Sequence, residues 1–304
     1  MKPPRIVVVG SSNADMIIQL DRIPRPGETV LGGAFSTAAG GKGANQAVAA
    51  ARAGGQVTFI ARVGQDMFGD QAVAGFVRDG INVKHVFRDQ TAPSGVALIF
   101  VAKDGENSIA VASGANAKLS PADVRRAKAA FTGASVLVVQ LETPLETVQA
   151  AADLAARAGV RVILNPAPAQ RLPDELLKRI SILTPNETEA ELLTGGTGED
   201  AAAKLRARGV ETVILTLGAR GALIADNRGT RWVPGFKVKA VDTTAAGDIF
   251  NGALAVALAE GKTMDDAVRF ANAAAAISVT RLGAQPSAPT RREIERFLKK
   301  TATA

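Results

Sequence analysis

The chain has no cysteine, no tyrosine, one histidine and one tryptophan among 304 residues. Without cysteine there are no disulfides, thiolate nucleophiles or cysteine-ligated metals. The single histidine, His85, excludes multi-histidine metal sites. A Ser-His-Asp triad would have to use it. It lies in the polar stretch 82–88 with no nucleophile elbow beside it, so it reads as a surface residue. Aromatics make up only 4% of the chain, which leaves few stacking platforms for single-stranded nucleic acid. No apolar run approaches the ~18 residues of a membrane span. The run Ile6 to Val9 is too short for the apolar region of a signal peptide. These absences predict a cytoplasmic protein with neither a membrane nor a nucleic acid as partner. The net charge is +7, but the basic residues are scattered. Arg125, Arg126 and Lys128 share one predicted helix, and Arg291, Arg292, Lys299 and Lys300 flank the last. A mildly positive field also suits anionic nucleotides.

Hydrophobic residues at 47% and charged residues at 21% describe an ordinary globular chain. The length predicts one domain over 1–304. The apolar runs Val136 to Leu141, Val160 to Leu164, Ile180 to Leu183 and Val213 to Leu217 are nearly uninterrupted, as in strands buried on both faces. Helix-like segments alternate with them: Leu145 to Ala158, Asn186 to Leu193 and Glu199 to Arg208. The alternation predicts an α/β fold with a doubly wound, mostly parallel sheet flanked by helices. Ser120-Pro121-Ala122-Asp123 marks a helix start, and Thr263 to Asp266 and Thr290 to Glu293 resemble capping boxes. Two segments break the pattern. Asp15 to Ser36 and Ser94 to Ala112 each read as paired strands, the second turning at Asp104-Gly105. They predict a small antiparallel sheet outside the main one, serving as a lid, a subunit interface or both.

Several polar groups stand where chemistry is possible. Asp242-Thr243-Thr244-Ala245-Ala246-Gly247-Asp248 leads into an apolar helix, Ile249 to Ala259. Small residues before a helix start leave backbone N–H groups free to bind an anion. Asp248, in the first turn and held ionised there, is placed to accept a proton from an attacking hydroxyl. A lone first-turn aspartate can equally do no more than offset the helix dipole. Gly40-Gly41-Lys42-Gly43-Ala44-Asn45 looks like a phosphate loop, but Gly43 stands where Ser or Thr should follow the lysine. It is either a ligand-approach loop or an ordinary turn before the helix Ala44 to Ala53. Asn13 and Asp15, two apart after the first strand, either face one side as an amide–carboxylate pair or mark a turn. Glu142 and Asn165 follow strand ends, where open sheets bind ligands. Asn186 and Glu189 either form a helix cap or orient the waters of Mg²⁺. The loop Thr216-Leu217-Gly218-Ala219-Arg220-Gly221 can pack around a nucleotide.

Taken together, these stretches resemble the ribokinase family, the phosphofructokinase-B-type carbohydrate kinases, from about Ile6 to Leu298. The segments Gly40 to Asn45 and Asp242 to Asp248 match its two signatures, and the second is highly specific. Further likeness lies in Pro26 to Thr29, Asn165 to Ala169, Thr184 to Glu189 and Gly283 to Ser287. The resemblance implies ATP-dependent phosphorylation of D-ribose at its 5-hydroxyl. A sister activity on a nucleoside, 2-deoxyribose or a ketohexose, or a non-catalytic sensor, are its alternatives. By the same resemblance Asn13, Asp15, Gly41, Lys42, Asn45 and Glu142 hold the sugar. Asp248 is the catalytic base, and Ala245, Ala246 and Gly247 form the anion hole. Asn186, the residues Thr216, Leu217, Gly218, Ala219, Arg220 and Gly221, and Asn272 surround ATP. Asn186 and Glu189 organise Mg²⁺ through water. Asp242, Thr244, Ser278, Arg281, Gly283 and Ser287 hold a monovalent cation, usually K⁺, several of them through backbone carbonyls. The two irregular segments become a lid that pairs subunits into a homodimer. Ala245 stands where many relatives have glycine, and Asn272 where some have histidine.

Overall fold

The computed structural model describes residues 3–104 and 106–302. The first half runs through β1 (Arg5–Val9), β2 (Asn13–Leu20), β3 (Ala34–Gly40), α1 (Lys42–Arg52), β4 (Gln56–Gly64), α2 (Met67–Arg78) and β5 (Asn82–Asp89). There follow β6 (Gly95–Ala102), β7 (Asn107–Ala112), α3 (Pro121–Arg126), β8 (Val136–Val139), α4 (Leu145–Arg157) and β9 (Arg161–Leu164). Next come α5 (Asp174–Leu177), β10 (Ile182–Leu183), α6 (Glu187–Thr194), α7 (Gly198–Ala207) and β11 (Thr212–Thr216). The chain closes with β12 (Gly221–Asp226), β13 (Gly229–Pro234), α8 (Ala246–Ala259), α9 (Met264–Ser278) and α10 (Arg291–Ala302).

β1 shows why the apolar runs make a two-sided core. Successive side chains of a strand point to opposite faces. Ile6 and Val8 enter one cluster with residues of α1, α8 and α9, while Val7 and Val9 enter a second with residues of α4. The main sheet has the order β13-β12-β11-β10-β9-β8-β1-β4-β5. From β5 to β11 every pairing is parallel, and β12 and β13 add an antiparallel edge. The chain winds from β1 outward to β5, then returns to β8 and winds the other way. The order therefore reverses between β1 and β8, which opens a crevice at their carboxyl ends.

The two irregular segments form a second sheet, β3-β2-β6-β7. Its hairpins β2–β3 and β6–β7 are antiparallel, but the central pairing β2–β6 is parallel, from Asn13 opposite Gly95 to Leu20 opposite Ala102. The reason lies in the main sheet. β1 and β5 run the same way there, and each continues outward into its successor. Gly105 of the predicted turn lies outside the described residues. The hairpin is closed beside it by the Ala102 N–H donating to the Glu106 carbonyl at 2.9 Å.

The predicted helix starts hold. Ser120 and Asp123 close a reciprocal box with Pro121 at the first helical position, and Thr290 and Glu293 close another. At Thr263 the Asp266 carboxylate takes the threonine hydroxyl, so only half of that box forms. Lys128 falls in the 3-10 turn Lys128–Phe131 after α3, not on the helix with Arg125 and Arg126. His85 is half-buried on the edge strand β5, beside the Phe87 ring, and burial holds its imidazole below the usual range.

Candidate active site

The crevice between β1 and β8 is bridged by side chains. The Ser11 hydroxyl, just past β1, donates to the Glu142 carboxylate, just past β8. The Lys42 N–H, at the start of α1, donates to the same carboxylate at 2.9 Å. The glycine-rich segment thus turns its helix start toward a carboxylate. Gly41 has φ 87°, and a Cβ there would lie 2.7 Å from the Asn13 nitrogen. Only glycine lets α1 begin pressed against the start of β2. Asn13 is buried, and its Oδ1 accepts from Asn116 Nδ2 at 2.7 Å. Asn116 also accepts from the Ser12 N–H at 2.9 Å.

Three carboxylates act on one ammonium here, and a fourth lies near two of them. Asp15, two residues beyond Asn13, is pushed up to about 6 by burial, with the Glu142 and Asp248 charges adding to it. Burial would lower the Lys42 ammonium, but Asp248, Glu142 and Glu189 outweigh it and hold the lysine above its ordinary value. Lys42 is therefore charged at neutral pH.

Asp248 lies in the first turn of α8 and is only 5% exposed. Its Oδ2 accepts from Asn45 Nδ2 at 3.0 Å and its Oδ1 from Gln46 Nε2 at 2.9 Å. Burial pushes its carboxyl up, opposed by Lys42 and by the two amide donors. This corrects the expectation that the helix start alone holds it ionised. The first turn is buried under α1, so desolvation acts against the dipole, and Asp248 is a stronger base than a free aspartate.

Before it, Ala245 has φ 59° and ψ 13°, the one left-handed non-glycine residue among those described. The Ala246 N–H donates to the Thr243 carbonyl at 3.2 Å, closing the turn. Asn251 Nδ2 donates to the Gly247 carbonyl at 2.8 Å, and the Thr184 hydroxyl donates to Asn251 Oδ1 at 2.7 Å, which fixes that turn from behind.

A cleft of about 650 Å³ opens beside this turn. Lys42, Asp248, Ala245, Ala246 and Gly247 are among the residues that line it. So are Asn186, Glu189, Thr216, Gly218, Ala219, Gly221 and Asn272. Two predicted residues do not join them. Leu217 is buried in a small cluster with Ala190, Leu215 and Leu223, and Arg220 pairs with Glu187 on the surface. Asn186 and Glu189 form the capping box of α6, with bonds of 2.8 and 2.9 Å. Burial raises the Glu189 carboxyl. Asn272 Nδ2 reaches the Val233 and Pro234 carbonyls at 3.3 Å.

The six residues expected around a monovalent cation lie in the loop before α8, at the last residue of α9 and in the loop after it. Asp242 joins the loops, accepting from the Thr244 N–H and the Gly283 N–H, each at 2.8 Å. Burial would push the Asp242 carboxyl up, but these bonds hold it below its usual range. Ser278 and Ser287 turn their hydroxyls back to the Ala275 and Ala284 carbonyls, and Arg281 pairs with Glu293. The donor set is oxygen only, one carboxylate among carbonyls, which fits a hard, weakly charged cation and not a transition metal. Among the described residues no cluster of three His, Cys, Asp or Glu side chains forms a metal site. No helix among them is long and apolar enough to cross a membrane.

Sequence reasoning missed Ser11, Gln46, Asn116, Gln140, Thr184 and Asn251. The available signal was a lone polar side chain in an apolar stretch, as with Gln140 in the run Val136 to Leu141 and Asn251 in α8.

A buried carboxylate at a helix start, seated between the switch point of a doubly wound sheet and a nucleotide-sized cleft, fits a phosphotransferase for an alcohol. A model of the pfkB family carbohydrate kinases matches residues 3–291, and the chain belongs to that family. It is 49% identical to a ribokinase of Haemophilus influenzae, over 97% of this chain and 98% of that one. The crystal structure of a ribokinase from Thermotoga maritima superposes with a TM-score of 0.90 at 44% identity, covering 97% of this chain and 99% of that one. The structure of Arabidopsis thaliana ribokinase complexed with ribose and ATP superposes at 0.90 and 36%, covering 98% and 99%.

Proposed function

We infer that this chain transfers the γ-phosphoryl group of ATP to the 5-hydroxyl of D-ribose, giving ADP and D-ribose 5-phosphate. The observation that carries the reading is the seat of Asp248, buried between the polar start of α1 and the cleft. Asp248 takes the hydroxyl proton. The hydroxyl oxygen forms its bond to the γ-phosphorus as the bond to the bridging oxygen of ADP breaks, roughly in line. Charge on the transferring group is met by the N–H groups of Ala245 and Gly247 at the positive end of α8, and by Lys42, while the Ala246 N–H is spent on closing the turn. Asn13, Asp15, Gly41, Asn45 and Glu142 hold the sugar hydroxyls. Asn186, Thr216, Gly218, Ala219, Gly221 and Asn272 flank the nucleotide. Asn186 and Glu189 suit a Mg²⁺ that keeps its waters, which would offset phosphate charge. The loops at 242–244 and 278–287 suit K⁺ and would steady the turn before the anion hole.

The chain acts as one domain, with the sheet β3-β2-β6-β7 as a lid that excludes water on closing. Phe35, Leu98, Ile109 and Val111 are exposed on that sheet, which suits a homodimer formed through it. The cytoplasm, where ATP is abundant, is its place of work. The test is ADP release with Mg·ATP and K⁺ across ribose, 2-deoxyribose, fructose and adenosine. Preferential turnover of ribose supports the reading. Preference for another alcohol keeps the base and reassigns Asn13, Asp15 and Glu142. No turnover by folded protein favours a sensor.

A further inference from the structure

Gln46 is sealed from solvent at 0% exposure, one residue beyond the sugar-facing Asn45, and no part of the proposed reaction has used it. Its Nε2 donates to Asp248 Oδ1 at 2.9 Å and to Asn165 Oδ1 at 3.1 Å. Its Oε1 accepts from Gln140 Nε2 at 2.6 Å. Asn165 Nδ2 in turn donates to the Thr184 carbonyl at 3.2 Å.

The direction of this chain is fixed at both ends by groups that only accept. The Thr184 carbonyl cannot donate, so Asn165 must present its Nδ2 there and its Oδ1 to Gln46. The Asp248 carboxylate, when ionised, cannot donate either, so Gln46 must present Nε2 to it. With that nitrogen spent on both acceptors, the Gln46 oxygen faces Gln140. A flipped Gln46 amide would set oxygen against oxygen at two contacts and nitrogen against nitrogen at the third.

We propose that Gln46 is a positioning residue for Asp248, its amide fixing the plane of the carboxylate and being keyed in turn by Gln140 and Asn165. Asn45 anchors the other oxygen from the sugar side. One anchor per oxygen leaves each oxygen with a lone pair for the incoming hydroxyl. Being buried, Gln46 touches neither sugar nor nucleotide, so its effect falls on the chemical step and not on binding. Its donor also favours the ionised carboxylate, against the burial that pushes Asp248 up. Losing it raises Asp248 further.

This rests on Asp248 being the base, and the experiment separates the two ideas. The kcat and KM for the preferred sugar, and the pH profile of kcat/KM, are measured for wild type, Gln46→Leu, Gln140→Leu and Asp248→Asn, with thermal unfolding of each. For Gln46→Leu we expect kcat to fall about tenfold or more at pH 7, KM for sugar to stay within threefold, and the acid limb to move up by about one pH unit. Gln140→Leu frees the amide without removing it and shifts both readouts the same way by less. It carries the test if Gln46→Leu does not fold. A kcat loss in both variants with the acid limb unmoved, or no loss in either, overturns the proposal while leaving the base in place. Asp248→Asn turning over within tenfold of wild type overturns the base and the proposal together.

Discussion

Gly252 sits one turn beyond Asp248 on α8, where that helix crosses α1. A Cβ added there would lie 2.6 Å from the Ala49 Cβ, 2.7 Å from the Gln46 carbonyl oxygen and 2.8 Å from the Ala50 nitrogen. Ordinary carbon contacts are about 3.5–4.0 Å. The Gly252→Ala variant must therefore part the two helices locally by roughly 0.8 Å, and two of the three atoms are backbone and cannot swing aside. Overpacking of this kind costs about 3 kcal/mol at the upper end. The better helix propensity of alanine returns about 1 kcal/mol, leaving a net loss of about 2 kcal/mol. For a chain of 304 residues that lowers Tm by roughly 3 °C. The displacement also moves Asp248 away from Lys42, Asn45 and Gln46, which all ride on α1. A misplacement near 1 Å costs on the order of a hundredfold in rate, so kcat should fall between about tenfold and a hundredfold. Gly75→Ala on α2 is the control, because its Cβ would meet only Arg78 at 3.7 Å. Calorimetry and the coupled ADP assay read both quantities. A Gly252→Ala protein with Tm within about 1 °C of wild type and kcat within twofold would refute the reasoning.

Asp15 gives a pH dependence. Its folded carboxyl keeps a proton up to about 6, above the usual aspartate value of 3.8, so the folded state binds more protons between them. The sugar-free protein should lose stability as pH rises through that window, as urea unfolding at pH 4 and 7 would show. If ribose hydroxyls donate to the ionised form, its KM should rise about tenfold per pH unit below 6. A KM flat from pH 7 to 5 would remove Asp15 from the sugar site. Ala245→Gly should stabilise the protein by about 0.5–1 kcal/mol, since the left-handed strain at Ala245 exceeds the entropy that glycine adds to the unfolded chain. It should leave kcat within twofold, because the N–H is retained, and a stability loss in urea titration would contradict the strain.

The strands with continuous apolar runs were legible because burial on both faces leaves no other composition. The predicted run Val136 to Leu141 contains β8, and Val213 to Leu217 overlaps β11 within a residue. The pairing β2–β6 was not legible. It joins segments some eighty residues apart, and their relative direction is set by β1 and β5, not by either segment's own pattern. The positions gathered at the crevice were legible as strand ends and helix starts. Their electrostatics were not. Asp248 reads in sequence as a first-turn carboxylate steadied by a dipole, yet α1 covers it and desolvation reverses the sign. Gln46 and Gln140 are polar residues whose value appears only when α1, β8 and α8 meet.

The meeting of α1 with α8 also explains why one site needs both glycine-rich and alanine-rich helices. The base must be dry enough to be strong, which burial against α1 provides, yet it must stay ionised beside three other carboxylates. Lys42, Asn45 and Gln46 sit within one turn and a half at the start of α1, and each supplies a positive charge or a donor to Asp248. Such short reach is possible only if the two helices touch backbone to backbone, and Gly252 against Ala49 and Ala50 is that contact. Small residues along both helices, Ala44, Ala47, Ala253 and Ala257 among them, extend the close approach through the core. The packing that stabilises this half of the molecule therefore also sets the strength of its base. Substitutions that loosen the α1–α8 contact should weaken catalysis before they unfold the protein.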